Sequence, residues 1–145
     1  MMGIDPGVKG GLAYDIGYGT QVVAWGGIAK MHEEVENVCG VLLLDGIDPI
    51  AYLEHVTASP IMGKRSAFTF GHNFGQWETL LYCLNVRVEL VKPQMWQRGI
   101  PGLSGSDRKR ALKAHAARLY PNLRVTGATQ DALLILDYAK RINHG

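Results

Sequence analysis

Three acids stand where an acid is expensive. Asp5 follows the apolar run Met1-Met2-Gly3-Ile4, Glu54 follows Ile50-Ala51-Tyr52-Leu53, and Asp131 opens Ala132-Leu133-Leu134-Ile135-Leu136. A carboxylate in apolar surroundings is costly unless paired, so each is expected to meet a cation. Gathered together, three carboxylates repel and raise one another's pKa until positive charge compensates. Oxygen-only ligands select Mg²⁺ or Mn²⁺. Two such ions roughly 3.5–4 Å apart can cleave a phosphodiester, one activating water and the other stabilising the leaving oxygen. Each acid also has a plainer reading: Asp5 as the first residue of a turn, Glu54 as an arginine's partner, Asp131 as complement to a helix dipole.

The elements must place these acids. Met1 to Asp5 reads as a strand. The turn Pro6-Gly7 and the pair Gly10-Gly11 follow, and apolar residues resume at Leu12-Ala13-Tyr14, so the strand bulges or returns as a hairpin. Glycine here allows positive φ and leaves space beside the carboxylate. Asp15 to Gly19 suits a turn, Thr20 to Trp25 a strand, and Gly26 to Ala29 a third strand. His32 to Leu44 has helical spacing, with acids early to match the dipole. Pro49 to Val56 fits a buried parallel strand carrying Glu54 near its C-terminal end. Thr57 to Ser66 reads as a basic loop, Ala67 to Leu84 as a helix, and Val86 to Val91 as a strand stopped by Lys92-Pro93. Pro101 to Asp107 is a loop, with Ser106 as N-cap of a basic helix to Tyr120. Gln130 to Ile142 is the last helix. Strand–helix alternation after an opening meander predicts an α/β mixed five-stranded sheet with helices on both faces, as one domain over residues 1–145. Ligands bind such sheets beyond the strand ends. Adjacent parallel strands would set Asp5 beside Glu54, and a helix N-terminus over those ends would bring in Asp131.

The formal net charge is only +2, yet it is lopsided. Through Ile61 two lysines face eight acids, a net of −6; from Met62 onward thirteen Lys and Arg face five acids, a net of +8. A basic half suggests a polyanion-binding face, against the alternative of a solvated surface. Cys39 and Cys83 have no metal-ligand spacing and read as reduced thiols of an intracellular chain. No run approaches the roughly 18 apolar residues of a membrane span. The N-terminus runs straight into the Asp5 strand without a secretion signal, so a cytoplasmic location is expected.

Five motifs carry a resemblance: Gly3-Ile4-Asp5-Pro6-Gly7 with Gly10-Gly11, Tyr52-Leu53-Glu54-His55-Val56, Phe68-Thr69-Phe70-Gly71, Val91-Lys92-Pro93-Gln94-Met95-Trp96, and Asp131-Ala132-Leu133-Leu134. In this order, across nearly the whole chain, they resemble RuvC-type Holliday junction resolvases, the middle motifs most of all the phage and bacterial RuvC-like branch. The resemblance implies a ribonuclease H-like fold, a homodimer, Mg²⁺-dependent cleavage with Mn²⁺ as substitute, and four-way or branched DNA as substrate, within the bacterial host cell if phage-encoded. By position it makes Asp5, Glu54 and Asp131 the metal ligands, and Lys92 a catalytic residue that approaches the scissile phosphate and stabilises developing charge. The family usually has a further Asp or His one helical turn before the last acid. Here that position is Ala128, which cannot bind a metal. Three readings are open: three carboxylates suffice, Asp137 or His115 substitutes, or the chain is a natural or engineered inactive variant.

Lys64 and Arg65 follow Glu54 and are placed to hold phosphates. Arg108, Lys109, Arg110 and Lys113 begin the basic helix and suit backbone contacts, where shape rather than base identity is read. Among the aromatics Phe68, Phe70, Phe74 and Trp77, core or dimer packing competes with stacking on unpaired bases. Gly71, Phe74 and Gly75 would permit close helix approach across a two-fold axis. His55 points away from Glu54, and Trp96 caps the core below Lys92. Two rivals remain: a ribonuclease H-like enzyme acting on RNA or RNA–DNA hybrid, and a junction-binding protein that has lost catalysis.

Overall fold

The computed structural model describes residues 1–57 and 61–143. One five-stranded sheet runs β3-β2-β1-β4-β5. It comprises β1 (Met2–Asp5), β2 (Gly11–Asp15), β3 (Thr20–Ala24), β4 (Ile50–Glu54) and β5 (Arg87–Val91). β1, β2 and β3 form an antiparallel meander, and β1, β4 and β5 are parallel neighbours. The helices are α1 (Ile28–Leu44), α2 (Lys64–Cys83), the single turn α3 (Pro93–Trp96), α4 (Arg108–Leu119) and α5 (Gln130–Asn143).

The strands alternate as a sheet covered on both sides must. Met2, Ile4, Ala51 and Leu53 point to one face, where α1 and α2 bury Met31, Val35, Leu42, Trp77 and Leu81 against them. Tyr52 and Val91 point to the other, beneath α5 and α4 with Leu134, Ile135 and Leu112. Gly3 also lies on that second face. A Cβ there would sit 2.5 Å from the Leu136 backbone nitrogen and 2.6 Å from the Ala132 carbonyl, so only glycine lets α5 lie this close to the central strand.

Several boundaries differ from expectation. Residues 26–29 are not a strand: Gly27, at φ 94°, turns the chain and α1 starts at Ile28. That early start moves the acids of α1 past its first turn, so they do not complement its dipole. Asp107, not Ser106, occupies the N-cap of α4, and no side chain caps it. Lys64 and Arg65 open α2 rather than lying in the preceding loop. The expected 57–66 loop is otherwise partly outside the described residues, at 58–60. The turn α3 was not anticipated; Pro93 stops β5 but also sits at the first helical position, where its missing N–H costs nothing. No helix among the described residues is long and apolar enough to cross a membrane.

Candidate active site

The register decides the site. Ile4 pairs with Leu53 in the parallel β1–β4 ladder. The next residues, Asp5 and Glu54, therefore end adjacent strands, and alternation turns both toward the face that α5 covers. Asp131 stands in the first turn of α5. The carboxyls of the three acids act on one another. Burial pushes the Glu54 carboxyl up to about 8, with further contributions from Asp5 and then Asp131. Burial, then Asp5, raises Asp131 to about 6. Burial also raises Asp5, while the Gly7 N–H, donating to its Oδ1 at 2.9 Å, opposes the rise.

The glycines beside Asp5 act through space, not positive φ. Gly7, Gly10 and Gly11 all lie outside that region. A Cβ on Gly10 would fall 2.5 Å from the Asp5 Cγ, and one on Gly7 3.2 Å from its Oδ1. The loop thus leaves room that the carboxylate itself fills. Asn73 of α2, buried, donates from Nδ2 to the Pro6 carbonyl and ties this loop to the opposite layer.

Glu54 has a neutral partner. The buried Trp96 Nε1 donates to its Oε1 at 3.0 Å. This gives the single turn α3 a purpose: it swings the indole back under the end of β4. Trp96 was expected only as a core cap. His55 turns to the α2 side, where its ring stands 5.8 Å from that of Phe74.

A cleft of about 720 Å³ opens beside Asp5 and Asp131, and Lys9, Lys109, Arg110 and Lys113 line it too. Of the expected DNA contacts, three from α4 therefore meet the acids. Lys9, in the loop after Asp5, had been counted only as charge in the acidic half of the chain. Arg108 bonds to the Gln97 carboxamide, and its charge lowers the pKa of both Glu54 and Asp131. Lys92 is elsewhere. Val91 faces α5, so Lys92 faces the other way, into a smaller cleft with His55, Val56 and Thr57. Arg65 lines a cleft that adjoins the acids, whereas exposed Lys64 lines none of these clefts.

Ala128 lines the acid cleft, in the turn before α5. Thr129 braces that turn by accepting the Thr126 N–H at 2.9 Å. The other candidate substitutes lie outside the cleft: Asp137 pairs with Arg141 at 2.9 Å, and His115 bonds to Arg118.

The donors suit an oxygen-preferring divalent cation. All three are carboxylates, and Asp131 Oδ1 is buried without a hydrogen-bond partner among the described residues. As they stand, no three His, Cys, Asp or Glu side chains among the described residues are gathered closely enough to hold one ion.

On the α1 side, Gly71 and Gly75 line an apolar groove between α1 and α2 with Ile28, His32 and Leu80. A Cβ on either glycine would meet nothing within 4 Å among the described residues, so no contact with them demands glycine. Phe74 is half-buried against the core, and Phe68, expected in packing, is 77% exposed.

No family model matches the chain, and no curated protein does. Solved structures do. The RuvC structure of Thermus thermophilus superposes with a TM-score of 0.60 at 17% identity, over 98% of this chain and 95% of that one. T. thermophilus RuvC in complex with Holliday junction substrate gives 0.60 at 15% identity, over 97% and 94%. The chain has a RuvC-like, ribonuclease H-like fold. At this identity the likeness concerns the fold.

Proposed function

We propose that the chain is a structure-selective endodeoxyribonuclease that acts as a homodimer on four-way or branched DNA. One observation supports the reading: Asp5 and Glu54 end adjacent parallel strands, Asp131 opens the helix that covers them, and four cations line the cleft that Asp5 and Asp131 share. A RuvC-like fold, seen elsewhere with a Holliday junction, supports the substrate class.

Asp5, Glu54 and Asp131 would hold Mg²⁺ or Mn²⁺. When bound, such an ion supplies an activated water and neutralises charge developing on the phosphoryl oxygens. The chain's own residues do the rest. Trp96 fixes the orientation of Glu54 without adding charge. Lys9, Lys109, Arg110 and Lys113 hold the strand's phosphates against the carboxylates, which would otherwise repel them. Arg108 offsets the buried acids. Lys64 and Arg65 extend the phosphate path along α2, while Lys92, which faces a separate cleft, would meet DNA only away from the acids. The groove at Gly71 and Gly75 would receive the second protomer, without Phe74, which packs on the core instead.

Ala128 favours a second reading, a junction-binding protein without turnover, because it supplies no donor where the cleft has room. Cleavage of a labelled immobile four-way junction in Mg²⁺ and in Mn²⁺ separates the readings. Linear duplex, an RNA–DNA hybrid and Asp5→Asn serve as controls. Paired nicks near the crossover, absent in the variant, are the expected result. Tight binding without nicks selects the second reading, and preference for the hybrid overturns both.

A further inference from the structure

Asn73 is polar where the buried face of α2 is otherwise apolar. It is 3% exposed and shares that face with Trp77, Leu80 and Leu81. A buried carboxamide costs stability unless it is hydrogen-bonded. Among the described residues the other buried polar side chains, aromatics and Cys39 aside, are Glu54, Thr129 and Gln130. Glu54 is an acid of the site, and Thr129 and Gln130 directly precede Asp131. Asn73 comes from the opposite layer, yet its partner is the residue after Asp5.

The bond acts through a single peptide unit. Asn73 Nδ2 donates to the Pro6 carbonyl, and the N–H of that same peptide, on Gly7, donates to Asp5 Oδ1 at 2.9 Å. The C=O and N–H of a trans peptide point in opposite directions, so holding one aims the other. A Pro-Gly pair admits two orientations of the peptide that joins it, and the flipped one puts the glycine at positive φ. Gly7 is not at positive φ. The flip would turn the Pro6 carbonyl toward the carboxylate and strand the Asn73 amide in the core. Proline and glycine do not choose between the two orientations; Asn73 does. The rest of the loop is tied by backbone, Gly10 N–H to the Gly7 carbonyl at 2.8 Å and Trp25 N–H to the Gly10 carbonyl at 2.9 Å. Among the described residues, Asp5 Oδ2 accepts no hydrogen bond.

We propose that Asn73 is a positioning residue for the metal site: its grip on the Pro6 carbonyl keeps the Gly7 N–H on Asp5 Oδ1 and leaves Oδ2 for the cation. This rests on the reading of Asp5 as a metal ligand. The same helix places Arg65 and Thr69 in the cleft that adjoins the acids, so the element that would carry DNA phosphates also sets the aim of Asp5.

The test is Mn²⁺ binding by calorimetry without DNA, read beside hydrogen exchange at the Gly7 amide of the metal-free protein. Asn73→Leu removes the donor at similar volume. Asn73→Ala removes it without adding atoms, which guards against a leucine variant that fails to fold. Either should weaken Mn²⁺ binding by about 10- to 100-fold, the range for groups that orient metal ligands. Either should also speed exchange at Gly7, while the amide of Ile4, inside the sheet between β2 and β4, keeps its protection. Leu81→Ala, which opens a cavity on the same buried face of α2, should destabilise the fold and leave Mn²⁺ affinity unchanged. Unchanged affinity in both Asn73 variants, where Asp5→Asn does abolish binding, overturns the positioning role and leaves the metal reading standing. An equal loss in Leu81→Ala also overturns it, because a loosened α2 would then suffice. Mn²⁺ binding that Asp5→Asn does not weaken overturns the metal reading, and the positioning role with it.

Discussion

Glu54→Gln should make the metal-free protein more stable at alkaline pH. Glu54 is 7% exposed, and burial with Asp5 and Asp131 lifts its pKa from an ordinary 4.5 to about 8. A carboxyl raised in the fold is favoured there in its neutral form. Between about 4.5 and 8 the folded state holds more protons than the unfolded chain, so stability falls as pH rises through that window. Below it the group costs nothing, and above it the cost is complete. At about 1.4 kcal/mol per pKa unit, the cost has an upper bound of roughly 5 kcal/mol, and relaxation and water entry reduce it to about 2–4. Glutamine keeps the oxygen that accepts from Trp96, so the hydrogen bond survives and only the charge is lost.

Urea unfolding of both proteins from pH 5 to pH 9 in EDTA measures this. The unaltered protein should lose stability across the window, and Glu54→Gln should lose much less, the residue coming from Asp131, whose own window ends near 6. Saturating Mg²⁺ at pH 8 should return about 2.7 kcal/mol to the unaltered protein at one hundred times Kd, and far less to the variant. Parallel stability curves for the two proteins would refute the argument, because the acids would then not be paying for proximity.

Three further outcomes are expected. Gly3→Ala should destabilise by about 3 kcal/mol or more in the same assay, since its Cβ would lie 2.5 Å from the α5 backbone, which has no flexible end to yield. Trp96→Phe should cost about 1–3 kcal/mol by leaving the buried Glu54 oxygen unsatisfied, and should lower kcat for junction cleavage with little change in junction affinity. Ala128→Asp should tighten Mn²⁺ binding measured by calorimetry by about tenfold or more, since an added carboxylate would line the same cleft as Asp5 and Asp131.

Asp5, Glu54 and Asp131 were legible because acids inside apolar runs demand an explanation, and strand alternation with a parallel register does the rest. Lys64 and Arg65 read as loop because the stretch around them is polar, basic and contains Gly63, yet α2 begins at Lys64 without a side-chain cap. The roles that the sequence does not show are those whose partners are remote. Trp96 lies 42 residues from Glu54, and Asn73 lies 67 from Pro6. Neither has a periodic signal, because its role is fixed by which loop the sheet brings beneath it. The glycines at 7 and 10 were noticed for the right loop, but their role is clearance for Asp5 and not an unusual φ.

The charge asymmetry illustrates how sequence halves mislead. An acidic half and a basic half suggest two faces, one of them for DNA. In the fold, Asp5 from the acidic half shares a cleft with Lys109, Arg110 and Lys113 from the basic one, joined by Lys9 from the acidic half itself. A basic face remote from the acids would bind DNA and leave the scissile bond out of reach. Cations lining the cleft of Asp5 and Asp131 would, on the proposed reading, draw a phosphate toward carboxylates that otherwise expel it, and Lys109 already opposes the rise in the Asp131 pKa. The separation of charge along the chain is thus undone where α5 packs on β1 and α4 packs on α5, which sets Asp5 and Asp131 in one cleft with Lys9, Lys109, Arg110 and Lys113.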